Sequence, residues 1–197
     1  MASQLNRPLV TIAAFAISLA AGLAIMLTLL GGLRSPNSPS AIGGSFALTD
    51  QNGTKVTEQT LKGRPSLIFF GFTHCPDICP TTLFEISEIL RVLGKDAERV
   101  NAFFVSVDPE RDTAEAMKTY ISSFDPNLKG LTGSAEDVAK VISAYRVYAK
   151  KVPLKDGDYT MDHTAAVYLM NRDGQFVAPF DVNRTPEAAA ADLKKYL

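Results

Sequence analysis

The chain has 197 residues, a formal net charge of −1 and 46% hydrophobic residues. The near-zero charge argues against a nucleic-acid partner, which requires a strongly basic face. Two cysteines in so long a chain point to chemistry or to a metal more than to a disulfide scaffold.

The first element in chain order is an apolar run. Residues 8–33 contain no charged side chain, and Ala, Leu, Ile, Val and Phe dominate. A helix that spans a bilayer needs about 20 such residues. A signal peptide has an apolar core of only ~7–15 residues and a small-residue cleavage pattern after it. Leu30-Gly31-Gly32-Leu33-Arg34 offers no such pattern, so the run is read as an uncleaved N-terminal transmembrane helix, an anchor over residues 1–34. Arg7 and Arg34 leave its orientation nearly balanced, with a slight preference for a cytoplasmic N-terminus. Pro36 and Pro39 among serines mark an extended linker over residues 35–43. Residues 44–197 then form one domain, long enough to bury its own core.

Within that domain, residues 46–49 and 54–57 flank Asp50-Gln51-Asn52-Gly53, a hairpin whose Asn-Gly pair signals a type I′ turn. Residues 67–71 are continuously apolar, as in a strand covered on both faces. A helix follows, with Leu83, Ile86, Leu90 and Leu93 inward and Gly94 as its stop. Residues 101–107 read as a second buried strand. Asp112-x-x-Glu115 has the pattern of a capping box, opening a helix whose inner face is Met117, Tyr120, Ile121 and Phe124. Ser134-x-x-Asp137 opens another, with Val138, Val141, Ile142 and Tyr145 inward. Residues 165–170 and 175–180 make a hairpin around Asn171-Arg172-Asp173-Gly174. Thr185 caps a last helix with Pro186 in its first position. This order predicts an α/β domain, a mixed sheet with helices on both faces.

The chemistry concentrates between the first buried strand and the helix after it, in Phe72-Thr73-His74-Cys75-Pro76-Asp77-Ile78-Cys79-Pro80. Pro80 fits only the first turn of a helix, so the helix starts near Cys79 and Cys75 lies on the incoming loop. A helix start favours thiolates through its free N–H groups and dipole. Three readings of the pair stand open: a redox disulfide, a peroxide-reducing nucleophile, or two thiolate ligands of a metal. The usual redox motif has two residues between its cysteines, and here there are three.

A metal site needs a further ligand, and the chain has two histidines. His74 adjoins Cys75, but neighbouring side chains at a strand end point opposite ways. His163, in Met161-Asp162-His163-Thr164, stands just before the strand at residue 165. The set Cys75, Cys79 and His163 is S₂N, suited to Cu(I) through its thiolates and to Cu(II) through its imidazole. Zinc accepts the same donors, and spacing does not separate the two metals. Asp77 and Asp162 are candidates to orient a ligand. Asp108 to Thr113 serve as a turn and helix cap or shape the site. Lys150, Lys151 and Lys155, with Asp156 and Asp158, read as a solvated loop or a docking surface. The whole connection over residues 149–162, charged and holding Gly157, has the composition of a mobile loop that lets His163 engage and release; the alternative is an ordered hairpin that only links elements.

The run from Gly71 to Pro80, Val105-Ser106-Val107-Asp108-Pro109-Glu110-Arg111-Asp112-Thr113, and Asp162-His163-Thr164 together resemble the Sco/SenC family. The resemblance covers the soluble domain and the anchor. It implies a thioredoxin-like fold and a copper chaperone that serves the binuclear copper centre of cytochrome c oxidase subunit II. It implies Cys75, Cys79 and His163 as ligands of copper, Cu(I) or Cu(II), and leaves His74 out. Expected partners are that subunit or other copper chaperones, and the membrane. The expected place is a bacterial or mitochondrial inner membrane, with the domain on the periplasmic or intermembrane-space side. The alternative reading is a thiol–disulfide reductase that keeps the partner's copper-binding cysteines reduced.

Overall fold

The structure, a computed structural model, describes residues 7–32, 42–155 and 157–197. Two compact units emerge, residues 1–39 and 40–197. The first holds α1 (Arg7–Gly32), a 26-residue helix whose described large side chains, among them Ile12, Phe15 and Leu23, are exposed. Side chains of α1 are described from Ile12 to Met26 and at Thr28, and among the described residues no helix is long and apolar enough to cross a membrane. The expected linker lies outside the described residues except for Ile42 and Gly43. Ile42 packs on the core of the second unit, and the Gly43 N–H donates to the Ala144 carbonyl at 2.9 Å.

The second unit is a seven-stranded mixed sheet with helices on both faces. Its strands are β1 (Ala47–Asp50), β2 (Lys55–Thr57), β3 (Ser66–Gly71), β4 (Asn101–Ser106), β5 (Leu128–Thr132), β8 (Val167–Met170) and β9 (Phe176–Phe180). They lie in the order β2-β1-β5-β4-β3-β8-β9. The three central strands β3, β4 and β5 run parallel, and their flanks are antiparallel. All six residues of β3 are buried, as its unbroken apolar run requires.

Alternation along the strands sorts the two faces. Ile68, Phe70, Phe103 and Val105 share one face with Val141 and Tyr145, at the end of α4 (Ala135–Ala144). Phe69 and Phe104 point the other way, where Tyr120 of α3 (Ala114–Ile121) stacks on Phe104 with ring centroids 5.6 Å apart. The same face receives α2 (Ile78–Leu93), which packs with α5 (Pro186–Leu193). Gly94, at φ +59°, ends α2, and Pro80 sits in its first turn, as predicted.

Four expectations are corrected. The Asn52-Gly53 turn is not type I′: Gly53 has φ +83°, while Arg146 is the sole described non-glycine residue at positive φ. Asp50 Oδ1 accepts from the Asn52 and Thr54 N–H groups and fixes a turn in which only Gly53 is left-handed. Asp112 caps nothing: Thr113 is the N-cap of α3, accepting from the Ala116 N–H. β5 was not anticipated, because Lys129 and Gly130 interrupt its apolar pattern. A Cβ at Gly130 would collide with Met117, so that glycine is what lets α3 lie against β5. Finally, the connection over residues 149–162 takes the form that stood as the alternative to a mobile loop, a two-stranded antiparallel hairpin, β6 (Ala149–Pro153) with β7 (Tyr159–His163), paired from Ala149↔His163 to Pro153↔Tyr159. Its strands alternate weakly and carry much charge, so composition alone did not distinguish them from a loop.

Candidate metal centre

Cys75 and Cys79 arrive on opposite sides of the start of α2. The Cys75 N–H turns back to the Phe72 carbonyl at 3.2 Å, which folds the loop under its own sulfur. Cys79 is the second residue of the helix, and its N–H, free of any helical partner there, donates to Cys75 Sγ at 3.4 Å. Its side chain is fully buried. Room for that sulfur comes from Gly71: a Cβ there would sit 2.7 Å from Cys79 Sγ and 2.6 Å from the Phe104 ring. Both cysteines are free thiols.

His163 comes from the last position of β7. Its Nε2 is 3.5 Å from Cys79 Sγ, and its Nδ1 is 3.0 Å from the Thr164 carbonyl. A carbonyl only accepts, so Nδ1 carries the proton and Nε2 turns its lone pair to the thiols. The ring is set edge-on against Phe72 and Phe69, with centroids 5.7 and 6.3 Å away. Ligand atoms of Cys75, Cys79 and His163 all lie within 4.8 Å of one another. Ligation at about 2.0–2.3 Å closes such a set with shifts under about 1 Å.

Burial, and not the helix start, decides the state of Cys79. Loss of solvent pushes its thiol well above the ordinary range, opposed by a hydrogen bond at Phe72 and reinforced by Cys75. The expected thiolate-favouring effect of the helix start is outweighed here. A buried sulfur that keeps its proton until a cation arrives is chemistry suited to a soft metal. Two thiolates and a neutral imidazole carry Cu(II) at net zero and Cu(I) at net −1.

Beneath the thiol loop lies a carboxylate, Asp112, with no exposed surface. It accepts from Thr73 Oγ1 at 2.7 Å, from the Thr73 N–H at 3.1 Å and from Ser106 Oγ at 2.6 Å. Burial raises its pKa and these hydrogen bonds pull it back. Asp108 is also buried, and accepts from Arg111 Nε at 2.6 Å and from the Tyr159 hydroxyl at 2.9 Å. The sequence leaves two readings for these residues, a turn and cap or a part in shaping the site, and their hydrogen bonds to Thr73 and Tyr159 favour the second. Nothing local distinguishes a buried aspartate from a capping one, and the single signal was their place just after a buried strand.

The remaining candidates stand outside the cluster. His74 is exposed, with Nδ1 3.1 Å from Thr73 Oγ1. Asp77 and Asp162 are exposed, and no hydrogen bond among the described residues carries either to a ligand. Lys151 pairs with Glu110 at 2.7 Å, and Asp158 with Arg111 at 3.3 Å. Asp156 lies outside the described residues.

Comparison with known proteins points to one family. The family model SCO1/SenC matches residues 34–197. The chain is 40% identical over 159 residues to the human mitochondrial protein SCO1 homolog, covering 79% of this chain and 53% of that one. It is 38% identical over 184 residues to an SCO2-like protein of Rickettsia conorii, covering 87% and 89%. Against the mitochondrial SCO1 homolog 1 of Arabidopsis thaliana it spans about half the relative's length, 48%. Among solved structures, Bradyrhizobium japonicum ScoI with copper bound is 71% identical, with a TM-score of 0.78, over 79% of this chain and 99% of that one. Yeast Sco1 with copper bound is 37% identical, with a TM-score of 0.72, over 80% and 88%. The three side chains gathered here thus form a possible copper site on a fold whose relatives carry copper.

Proposed function

The chain belongs to the SCO1/SenC family, and from that premise we propose that it is a membrane-anchored copper carrier whose cargo is held by Cys75, Cys79 and His163. The observation that carries this reading is the orientation of His163. Its Nε2 lone pair faces the two sulfurs while Nδ1–H is spent on Thr164. Thiol exchange has no use for that imidazole; a copper ion does.

The copper is delivered to the binuclear centre of cytochrome c oxidase subunit II, directly or with other copper chaperones. A solved relative, 24% identical, is described as a member of the Sco family of cytochrome c oxidase assembly proteins. The proposed anchor is residues 1–34, and what supports it is the sequence: residues 8–33 carry no charged side chain, and a bilayer span needs about 20 apolar residues. The domain stands on the periplasmic or intermembrane-space side of an inner membrane, where a thiol pair can also be oxidised. The thiol–disulfide reductase reading uses the same sulfurs. Against it stands the burial of both sulfurs, Cys75 at 8% and Cys79 at 0% exposure, because thiol exchange needs a sulfur that a partner can attack.

The test is titration of the reduced full-length protein in detergent with Cu(I) and Cu(II), wild type against His163→Ala. One copper per chain is expected, with Cu(II) affinity falling about 10–100-fold in the variant and Cu(I) affinity less, because the two thiolates hold most of it. Unchanged Cu(II) affinity and absorption in the variant removes His163 from the site.

A further inference from the structure

The segment after β4, residues 107–113, touches both halves of the site. Asp112 holds the thiol loop through Thr73. One residue earlier, Arg111 holds the histidine hairpin. Its Nη1 donates to the Tyr159 carbonyl in β7 at 2.9 Å, and its Nε to Asp108 Oδ2 at 2.6 Å. The Tyr159 hydroxyl closes the triangle on Asp108 Oδ1 at 2.9 Å. The guanidinium lies over the Tyr159 ring, 3.7 Å from its centroid, and 5.8 Å from that of Phe72. Phe72 then meets the His163 ring edge-on at 5.7 Å. Arg111 therefore reaches His163 by two routes, the β7 backbone and the Phe72 ring.

The hairpin needs such a hold. β6 and β7 form a separate two-stranded sheet and pair with no strand of the main sheet among the described residues. An isolated two-stranded ribbon is marginal in water, so its place beside the thiols has to come from side chains. The other ion pair from the same segment, Glu110 with Lys151, is exposed at both ends and contributes little. The Arg111–Asp108 pair is mostly buried, with side chains 16% and 2% exposed, and adds directed hydrogen bonds. Only a planar guanidinium can stack on a ring and donate in its own plane in two directions at once.

We infer that Arg111 is a positioning residue for His163: it straps the β6–β7 hairpin to the segment that also fixes the thiol loop, and so sets the reach of the imidazole to the sulfurs. This rests on the three-ligand copper reading. Loosening the strap frees the histidine and leaves the thiolates where they are.

The experiment uses reduced full-length protein in detergent, as wild type, Arg111→Met, Arg111→Lys, Tyr159→Phe and His163→Ala. In Arg111→Met, Cu(II) affinity falls about tenfold or more and the Cu(II) absorption moves toward that of His163→Ala, while Cu(I) affinity changes less than about threefold. Amide exchange over residues 149–163 speeds up about tenfold and that of β3 and β4 does not. Arg111→Lys rescues little. Tyr159→Phe, which removes one hydroxyl and keeps its ring, shifts Cu(II) affinity the same way by a smaller factor, and decides the matter if Arg111→Met does not fold. In the Arg111→Met/His163→Ala double variant the Arg111 effect on Cu(II) disappears. The inference is overturned if Cu(II) affinity and hairpin exchange stay at wild-type values in these variants while His163→Ala loses Cu(II). It is also overturned if the Arg111 effect persists without His163. Failure of His163→Ala to weaken Cu(II) sinks the three-ligand reading itself, and the inference with it.

Discussion

The two halves of the site are built on opposite plans. The thiol half is set into the core: Cys79 is fully buried, β3 is buried on both faces, and Gly71 leaves room for one sulfur and nothing larger. The histidine half stands on a half-exposed ribbon, β6–β7, held by side chains of the segment after β4 and by Ala149, Met161 and His163 packing on the core. What this teaches is a division of labour. In the proposed copper site the thiol cradle is preformed and costs little to organise, whereas the proposed third ligand sits on an element whose hold can be changed without disturbing the first two.

The largest expected effects probe the thiol half. Cys79→Ser should lower Cu(I) affinity by more than about a thousandfold, because a hydroxyl does not replace a soft thiolate. A Cys75–Cys79 disulfide should act alike, since neither sulfur then has a lone pair of thiolate character to give. Competition with a chromophoric Cu(I) chelator measures both. Oxidised protein that still takes up one copper with the same spectrum breaks the picture of a thiolate cradle.

Next comes the support beneath that half. Asp112→Ala removes the acceptor of the part-buried Thr73 N–H and hydroxyl and of the buried Ser106 hydroxyl. Each orphaned group costs about 1–3 kcal/mol, so chemical denaturation should show a loss of about 3 kcal/mol or more. The exposed Glu110–Lys151 pair, on the hairpin side, should give under about 1 kcal/mol on Lys151→Met. Similar losses for the two variants would erase the contrast between an embedded half and an appended one.

A further effect is in pH. Burial keeps the proton on Cys79 to a higher pH in the folded protein than in the unfolded chain, where a thiol ionises near ~8.5. Above that pH the unfolded chain binds fewer protons, so the stability of the copper-free protein should fall as pH rises, by up to ~1.4 kcal/mol per pH unit. Below it the thiol contributes its full share. Copper-loaded protein, whose sulfurs are already deprotonated, should lack this slope. Denaturation midpoints between pH 8 and 10, with and without Cu(I), test the point; a flat copper-free profile would show that the Cys79 thiol is not held neutral by burial.

Much of the frame was legible along the chain because its signals are local. The unbroken apolar run of β3, the helical spacing of Leu83, Ile86, Leu90 and Leu93, the serine and threonine caps at Ser134 and Thr185, and Pro80 in a first turn all behave as their neighbours dictate. The Asn52-Gly53 turn departs for a local reason, the Asp50 carboxylate, and the other three departures share one cause. β5, the β6–β7 hairpin and Asp112 owe their conformations to partners distant in sequence: Met117 against Gly130, Arg111 against Tyr159, and Thr73, 39 residues from Asp112.

The sequence by itself determined where the thiols stand, on the turn into a helix after a buried strand, because strand, turn and helix are each encoded within a few residues. It also narrowed the third ligand to two histidines, and strand alternation favoured His163 over His74. Only the tertiary structure decided that His163 Nε2 lies 3.5 Å from Cys79 Sγ, 84 residues away along the chain. It also decided that burial, not the helix start, governs the Cys79 proton, and that two aspartates and an arginine on one segment tie the halves together. Desolvation and long-range hydrogen bonding depend on what surrounds an atom in space, and that neighbourhood exists only once the chain has folded.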